Sequence, residues 1–172
     1  NVFAIAGERS VSVVRKDFRM KAAILGGAGK LGSAIALRLS RSGHNVMIGS
    51  RDASKAAEAA KALGAAAAGA TNADAAAWCD VAIVAVPYKG HRLLLEGIKG
   101  ELEGRIVIDA TVPLDPANLV QVKTETGKSA AQEAAEMIPN SHVFAAFQTV
   151  SHHVLGRPDT SPDVLVAGGV VD

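Results

Sequence analysis

Short apolar runs alternate with stretches of helical period along this chain. Residues 21–25 (KAAIL) form a brief apolar strand. Residues 33–42 place Ile35, Leu37 and Leu39 among Arg38 and Arg41, which predicts a helix. Ser42-Gly43-His44-Asn45 breaks it, and 46–48 (VMI) begin a second strand. Residues 52–63 are an alanine-rich helix whose Lys55, Glu58 and Lys61 share one solvated face. A small-residue strand at 65–70 follows, then a cap at Thr71-Asn72-Ala73-Asp74 and a short helix to Trp78. Trp78 and Cys79 read as core. Residues 81–86 (VAIVAV) are apolar on both faces, as in the middle of a parallel sheet. A helix from His91 to about Lys99 comes next; a solvated face is expected for His91 and Arg92, with contact to phosphate or an acidic substrate as the alternative. A strand at 104–109 follows. Pro113 and Pro116 stiffen 110–116, and 118–126 read as irregular. Residues 127–138 form a helix with Ser129 as its cap, 142–147 a strand and 164–167 a last strand. Strands alternating with helices predict an α/β fold: a doubly wound, mostly parallel sheet with helices on both faces.

The first strand–helix junction reads Gly27-x-Gly29-x-x-Gly32. Placed between a predicted strand and a helix, this is the Rossmann-type dinucleotide fingerprint. Gly27 is expected to permit the tight turn, Gly29 to let a pyrophosphate approach the backbone, and Gly32 to allow close helix packing. Free N–H groups and the positive end of the helix dipole would then meet the phosphates.

The end of the second strand selects the cofactor. NAD-binding domains carry an acidic residue there, about twenty residues after the motif. Here Ser50 and Arg51 come first, and Lys55 lies one helical turn beyond Arg51. Hydroxyl, guanidinium and ammonium suit the 2′-phosphate of NADP. Asp52 is the competing residue, because a shift of one position would make it the acidic group.

Composition narrows the classes. The 172 residues suit one sizeable domain, and 49% are apolar, which excludes disorder. The balance of 18 basic and 17 acidic residues gives no support for nucleic-acid binding. Cys79 is the single cysteine, so no intrachain disulfide forms and a cytoplasmic location is expected. No apolar run reaches membrane-spanning length. Residues 1–19 form an extension with no assigned chemistry and no signal-peptide pattern; residues 20–172 form the nucleotide-binding domain. His152 and His153 do not make a metal site, since adjacent side chains diverge and no further ligands complete one. Ser151 beside His152 is no catalytic triad. The last strand, with no helix after it, is an edge suited to pairing in a homodimer.

Ligands in doubly wound sheets lie beyond the carboxyl ends of the strands. Pro87-Tyr88-Lys89-Gly90-His91 falls at such an end, where Tyr88 can pack on a nicotinamide or ribose face or cap the core.

Several segments together resemble the F420H2:NADP oxidoreductases: ILGGAGKLGSAIALRLSRSGHNVMIGSRDASKA, CDVAIVAVPY, RIVIDATVPL, GKSAAQEAAEMIP and HVFAAFQTVSHHVL. The resemblance runs from about Met20 to Gly169. It implies hydride transfer between NADP(H) and the deazaflavin coenzyme F420, with no protein proton donor at the moment of transfer. Ala28, Gly29, Lys30 and Leu31 would line the pyrophosphate, and Ser50, Arg51 and Lys55 would hold the 2′-phosphate. Pro87, Tyr88, Arg92, Asn118 and His152 would meet the rest of NADP. Gln148, Thr149 and Val150 would border the F420 side. Ala28 replaces a hydroxyl residue common in the family's turn, and Gln148 stands where some members have histidine. The family continues past Asp172 with a small helical segment that helps close the deazaflavin site, so this sequence is expected to be a fragment or a shortened member. The competing expectations are another NADP-dependent reductase, of a small imine, carbonyl or flavin substrate, and a non-catalytic NADP-binding module.

Overall fold

The computed structural model describes residues 18–64, 67–115, 117–122, 124 and 126–168. The expectation for residues 1–19 therefore falls almost wholly outside the described residues. In chain order the elements are β1 (Lys21–Leu25), α1 (Lys30–Arg41), β2 (Asn45–Ser50), α2 (Ala53–Lys61) and β3 (Ala67–Thr71). There follow α3 (Asn72–Trp78), β4 (Val81–Val84), α4 (Tyr88–Gly97), β5 (Ile106–Asp109), β6 (Leu114–Asp115) and β7 (Asn118–Val122). The last are α5 (Ala130–Met137), β8 (His142–Ala146), α6 (His152–Leu155) and β9 (Val166–Ala167). No helix among the described residues is long and apolar enough to cross a membrane.

The main sheet has the order β3-β2-β1-β4-β5-β8-β9. All its pairings are parallel except β8 with β9. The order reverses at β1, so the cleft between the β1 and β4 ends is the switch point where such folds bind ligands. The apolar strands explain the packing. Ala22 to Leu25 and Ala82 to Val84 are buried, and each face of the sheet has its own core. One core joins Leu25, Val84, Leu95, Leu102 and Val107 with α3, α4 and α5. The other joins Ile24, Ile48 and Ile83 with α1, α2 and Leu155 of α6. Alanine-rich α2 lies close on β3: a Cβ at Gly69 would stand 2.2 Å from the backbone of Ala56.

Three expectations change. The stretch beginning at Asn118 contains β7, which pairs antiparallel with β6 in a small second sheet. Leu119, Val120 and Val122 give this short stretch the apolar and β-branched content that favours a strand. Helix α4 starts at Tyr88, with Pro87 as its cap, three residues before the expected start. Proline suits a helix start because its missing N–H has no intrahelical partner there anyway. Residues 152–155, assigned no element from the sequence, form the one-turn helix α6, capped by the Ser151 hydroxyl accepting from His153 N–H.

Candidate active site at the carboxyl ends of the parallel strands

The glycine turn closes on itself by backbone bonds. Gly26 N–H donates to Gly49 O at 3.0 Å, and Gly27 N–H to Ile24 O at 3.0 Å. The left-handed residue of the turn is Gly26, at φ +75°, where Gly27 was expected to be the permissive one. A Cβ on Gly26 would lie 2.3 Å from Val86 Cγ1. Gly27 is required for space instead: its Cβ would stand 2.6 Å from Ile24 O. The close packing of Gly32 is against that same turn, with a Cβ 2.7 Å from Gly27 Cα. Asn72, buried at the start of α3, steadies the turn by accepting from Gly26 N–H through Oδ1 at 3.2 Å. Sequence reasoning missed this residue, which reaches the turn from 46 positions away.

Gly29 differs from the other three. It caps α1 in an extended conformation, φ −81° and ψ 169°, and makes no side-chain cap bond. A Cβ there would meet only Gly26 O, at 3.6 Å. The first turn of α1 holds no acidic residue, and the helix's first backbone bond is Ser33 N–H to Gly29 O at 2.9 Å. The N–H groups of Lys30, Leu31 and Gly32 thus precede the ladder and face the space before Gly29. Ala28, Gly29 and Lys30 are all exposed. That cradle fits a pyrophosphate by donor type, dipole and room.

At the end of β2 the Asp52 side chain has a structural role of its own. Asp52 is the N-cap of α2, and its carboxylate accepts from Ser54 N–H at 2.9 Å and Lys55 N–H at 3.3 Å. Asp52 N–H in turn donates to Ser50 Oγ at 3.2 Å. The Ser50 hydroxyl therefore keeps its own proton for an outside acceptor. Arg51 and Lys55 are exposed, and neither side chain has an ion pair among the described residues.

A pair of histidines stands near Lys30 at the α1 N-terminus. His152 opens α6, its ring tilted against that of His153 with centroids 4.0 Å apart. Partial desolvation, then the charges of His153 and Lys30, lower the His152 pKa from its ordinary value. Helix α6 is tied to α1 by Arg38. Its Nε donates to Leu155 O at 3.0 Å, Nη1 to Thr160 O at 3.1 Å, and Nη2 to Arg157 O at 2.9 Å and Thr160 Oγ1 at 3.1 Å. In the sequence Arg38 is only a polar gap between leucines.

The ends of β4, β5 and β8 are joined by buried polar groups. His91 was expected on a solvated face, but it is 1% exposed, with Nε2 2.7 Å from Oδ2 of fully buried Asp109. Asp109 Oδ1 accepts from Thr111 N–H at 2.8 Å. Gln148 Nε2 donates to Asp109 O at 2.6 Å. Tyr88 stacks on His91 at 6.2 Å between centroids, and its hydroxyl lies 2.9 Å from Oε2 of buried Glu133. The one hint in the sequence was spacing: Tyr88 and His91 stand three apart on one helix, beside a strand that ends in aspartate.

The remaining residues spread around this cleft. Pro87 is exposed beside Tyr88. Arg92 points to solvent, 3.4 Å from Glu96 Oε1 one turn on. Thr149 is exposed and Val150 half-buried, just beyond Phe147, which holds φ +72°. Asn118 begins β7, and its side chain lies outside the described residues.

Comparison with known proteins agrees with this geometry. The family described as NADP oxidoreductase, coenzyme F420-dependent, matches residues 21–113. The F420-dependent NADP reductase of Methanothermobacter marburgensis is 40% identical over 148 residues, 79% of this chain and 66% of that protein. The enzyme of the same name from Methanocaldococcus jannaschii is 37% identical over 163 residues, 87% of this chain and 73% of that protein. The chain thus spans 66% and 64% of the lengths of two Methanothermobacter relatives. Among solved structures, the hypothetical protein SMa0349 from Sinorhizobium meliloti superposes with a TM-score of 0.74 at 26% identity, covering 91% of this chain and 76% of that one. The chain belongs to the family of coenzyme F420-dependent NADP oxidoreductases.

Proposed function

We propose that this chain binds NADP(H) along the glycine turn and passes a hydride between it and the deazaflavin coenzyme F420. The observation that carries the NADP half is the end of β2. Asp52 is turned into the α2 cap, leaving Ser50, Arg51 and Lys55 to face a 2′-phosphate. The likeness to F420-dependent NADP reductases supports the acceptor.

When bound, NADPH supplies hydride from C4 of its nicotinamide. The chain's part is placement. The backbone from Ala28 to Leu31 holds the pyrophosphate, and Lys30 with His152 adds positive charge beside it. Tyr88, with Pro87, backs the nicotinamide half, and Arg92 and Asn118 flank it. Gln148, Thr149 and Val150 border the F420 ring. F420 takes up the hydride at C5 and a proton from solvent, so the balance needs no acid from the protein. Holding two planar rings face to face without water is what lowers the barrier.

We infer further that the chain is a cytoplasmic homodimer. Edge strand β9 supports pairing, with Leu165 and Val166 72% and 62% exposed. The buried thiol of Cys79 suits a reducing compartment: burial pushes its pKa up, so it stays protonated and unreactive.

The test is steady-state turnover of F420 with NADPH, with NADH as control. Turnover with NADPH and little with NADH supports both halves. NADPH binding with no F420 turnover would refute the acceptor.

A further inference from the structure

We propose that the buried His91–Asp109 pair positions the nicotinamide site and the acceptor site relative to each other. This rests on the reading that hydride passes between NADP(H) and F420.

The pair is shut off from solvent, with exposures of 1% and 0%. A buried ionisable pair is weak evidence of stability, since apolar residues of similar volume often serve as well. Its contacts show what it does organise. On one side His91 carries the Tyr88 ring, 6.2 Å away at an interplanar angle of 26°. Glu133 fixes the far end of that ring through the Tyr88 hydroxyl. On the other side Asp109 accepts at its backbone oxygen from Gln148 Nε2. Asp109 Oδ1 also holds Thr111 N–H, which sets the turn out of β5. One run of contacts therefore leads from Tyr88 at the β4 end, by ring stacking to His91, by hydrogen bond to the Asp109 side chain, and from the Asp109 backbone oxygen to Gln148 at the β8 end.

A second observation falls on the same spot. Phe147, just before Gln148, holds φ +72°, a conformation unfavourable for a residue with a Cβ. Such residues persist only where surrounding structure holds them, and they cluster at functional sites. The Gln148–Asp109 bond is the adjacent restraint. The Asp109 side chain acts on that bond through Thr111 N–H: its loss loosens the turn out of β5, and with it the backbone oxygen that holds Gln148, while leaving the phosphate cradle at α1 and β2 untouched. His91 and Asp109 are thus positioning residues whose loss alters ring spacing and spares anchoring of the cofactor.

The experiment compares the His91→Leu/Asp109→Asn double variant, which avoids a buried unpaired carboxylate, with His91→Gln, whose amide can still donate to Asp109. NADPH affinity, kcat with F420, and the fluorescence of bound NADPH are measured on each. For the double variant we expect unchanged NADPH affinity, an altered nicotinamide emission and a kcat lower by about a hundredfold, the scale of a misplacement of roughly 1 Å. His91→Gln should restore most of that loss. Should the double variant not fold, Asp109→Asn alone, which weakens the bond to His91 and touches no residue placed against cofactor or acceptor, is read the same way. Wild-type kcat and emission in a folded variant would overturn the proposal. Affinity and kcat falling together in step with Tm would also overturn it, as a purely structural effect. A wild-type chain that binds NADPH but does not reduce F420 refutes the proposed acceptor alone, and the emission comparison still decides the role of the pair. A wild-type chain that binds no NADPH refutes both.

Discussion

Replacing Arg51 with alanine probes the cofactor choice at its most exposed point. The Arg51 guanidinium is solvent-exposed and has no ion pair among the described residues, so its removal leaves no buried charge and opens no cavity. Stability should stay within about 0.5 kcal/mol. A unit charge pair about 4 Å apart in water is worth ~1 kcal/mol, and a 2′-phosphate carries more than one charge. A hydrogen bond to a charged group contributes about 1.5–3 kcal/mol, and exposure puts Arg51 toward the lower end. At about 1.4 kcal/mol per tenfold, NADPH should bind roughly ten to thirty times more weakly. NADH lacks the phosphate and should bind as before. Titrating the fluorescence of each bound cofactor reads both constants, and the difference should shrink as salt rises. Asp52→Ala is the counterpart: it removes the α2 cap and costs about 1 kcal/mol of stability while NADPH preference stays. Equal loss of NADPH and NADH in Arg51→Ala would refute the 2′-phosphate assignment. Loss of NADH binding specific to Asp52→Ala would show that the carboxylate, not the cap, is what matters there.

Four further perturbations test the site. Gly29→Val should abolish NADPH binding while Tm hardly moves, because φ −81° and ψ 169° suit valine and its Cβ enters the open cradle; Gly32→Ala should instead unfold more easily by about 1–3 kcal/mol, its Cβ meeting Gly27 Cα at 2.7 Å. Arg38→Ala removes four bonds to the α6 segment and should cost about 2–3 kcal/mol in urea unfolding, with weaker NADPH binding as His152 loses its place. For His152 the sign follows from its lowered pKa: the free folded protein holds this proton less tightly than the unfolded chain, so the contribution to stability is full above the ordinary histidine value and is lost as pH falls through it. A bound pyrophosphate reverses the local field. NADPH binding should therefore take up protons and tighten toward acid pH, as calorimetry in two buffers would register, and His152→Gln should flatten that slope.

Much of the fold was readable because it rests on local signals. The apolar residues of β1 and β4 and the caps at Thr71 and Ser129 announce their elements within a few positions. The βαβ unit that carries the three spaced glycines and the Ser50-Arg51 pair was readable for the same reason, because it is local in sequence. What escaped depends on distant partners. Asn72 reaches Gly26 across 46 positions, Gln148 reaches Asp109 across 39, and Arg38 reaches Thr160 across 122. No periodicity within a window of ten or twenty residues encodes such contacts. His91 shows the hazard most clearly. A histidine beside an arginine at a helix start looks solvated, and only the sheet order that brings β5 next to β4 puts Asp109 beneath it. The misplaced turn residue has a simpler origin. The motif begins one residue after the strand-ending glycine, and it is that earlier Gly26 that adopts positive φ.

Transfer of label tests the central claim most directly. NADPH carrying deuterium at both C4 positions is mixed with F420 and the protein in ordinary water, and the reduced F420 is weighed by mass spectrometry. Direct transfer places one deuterium at C5 of every reduced molecule, with the same yield in the absence of other redox carriers. Reduced F420 that carries only solvent hydrogen, or no reduced F420 from a protein that binds NADPH, would contradict the account.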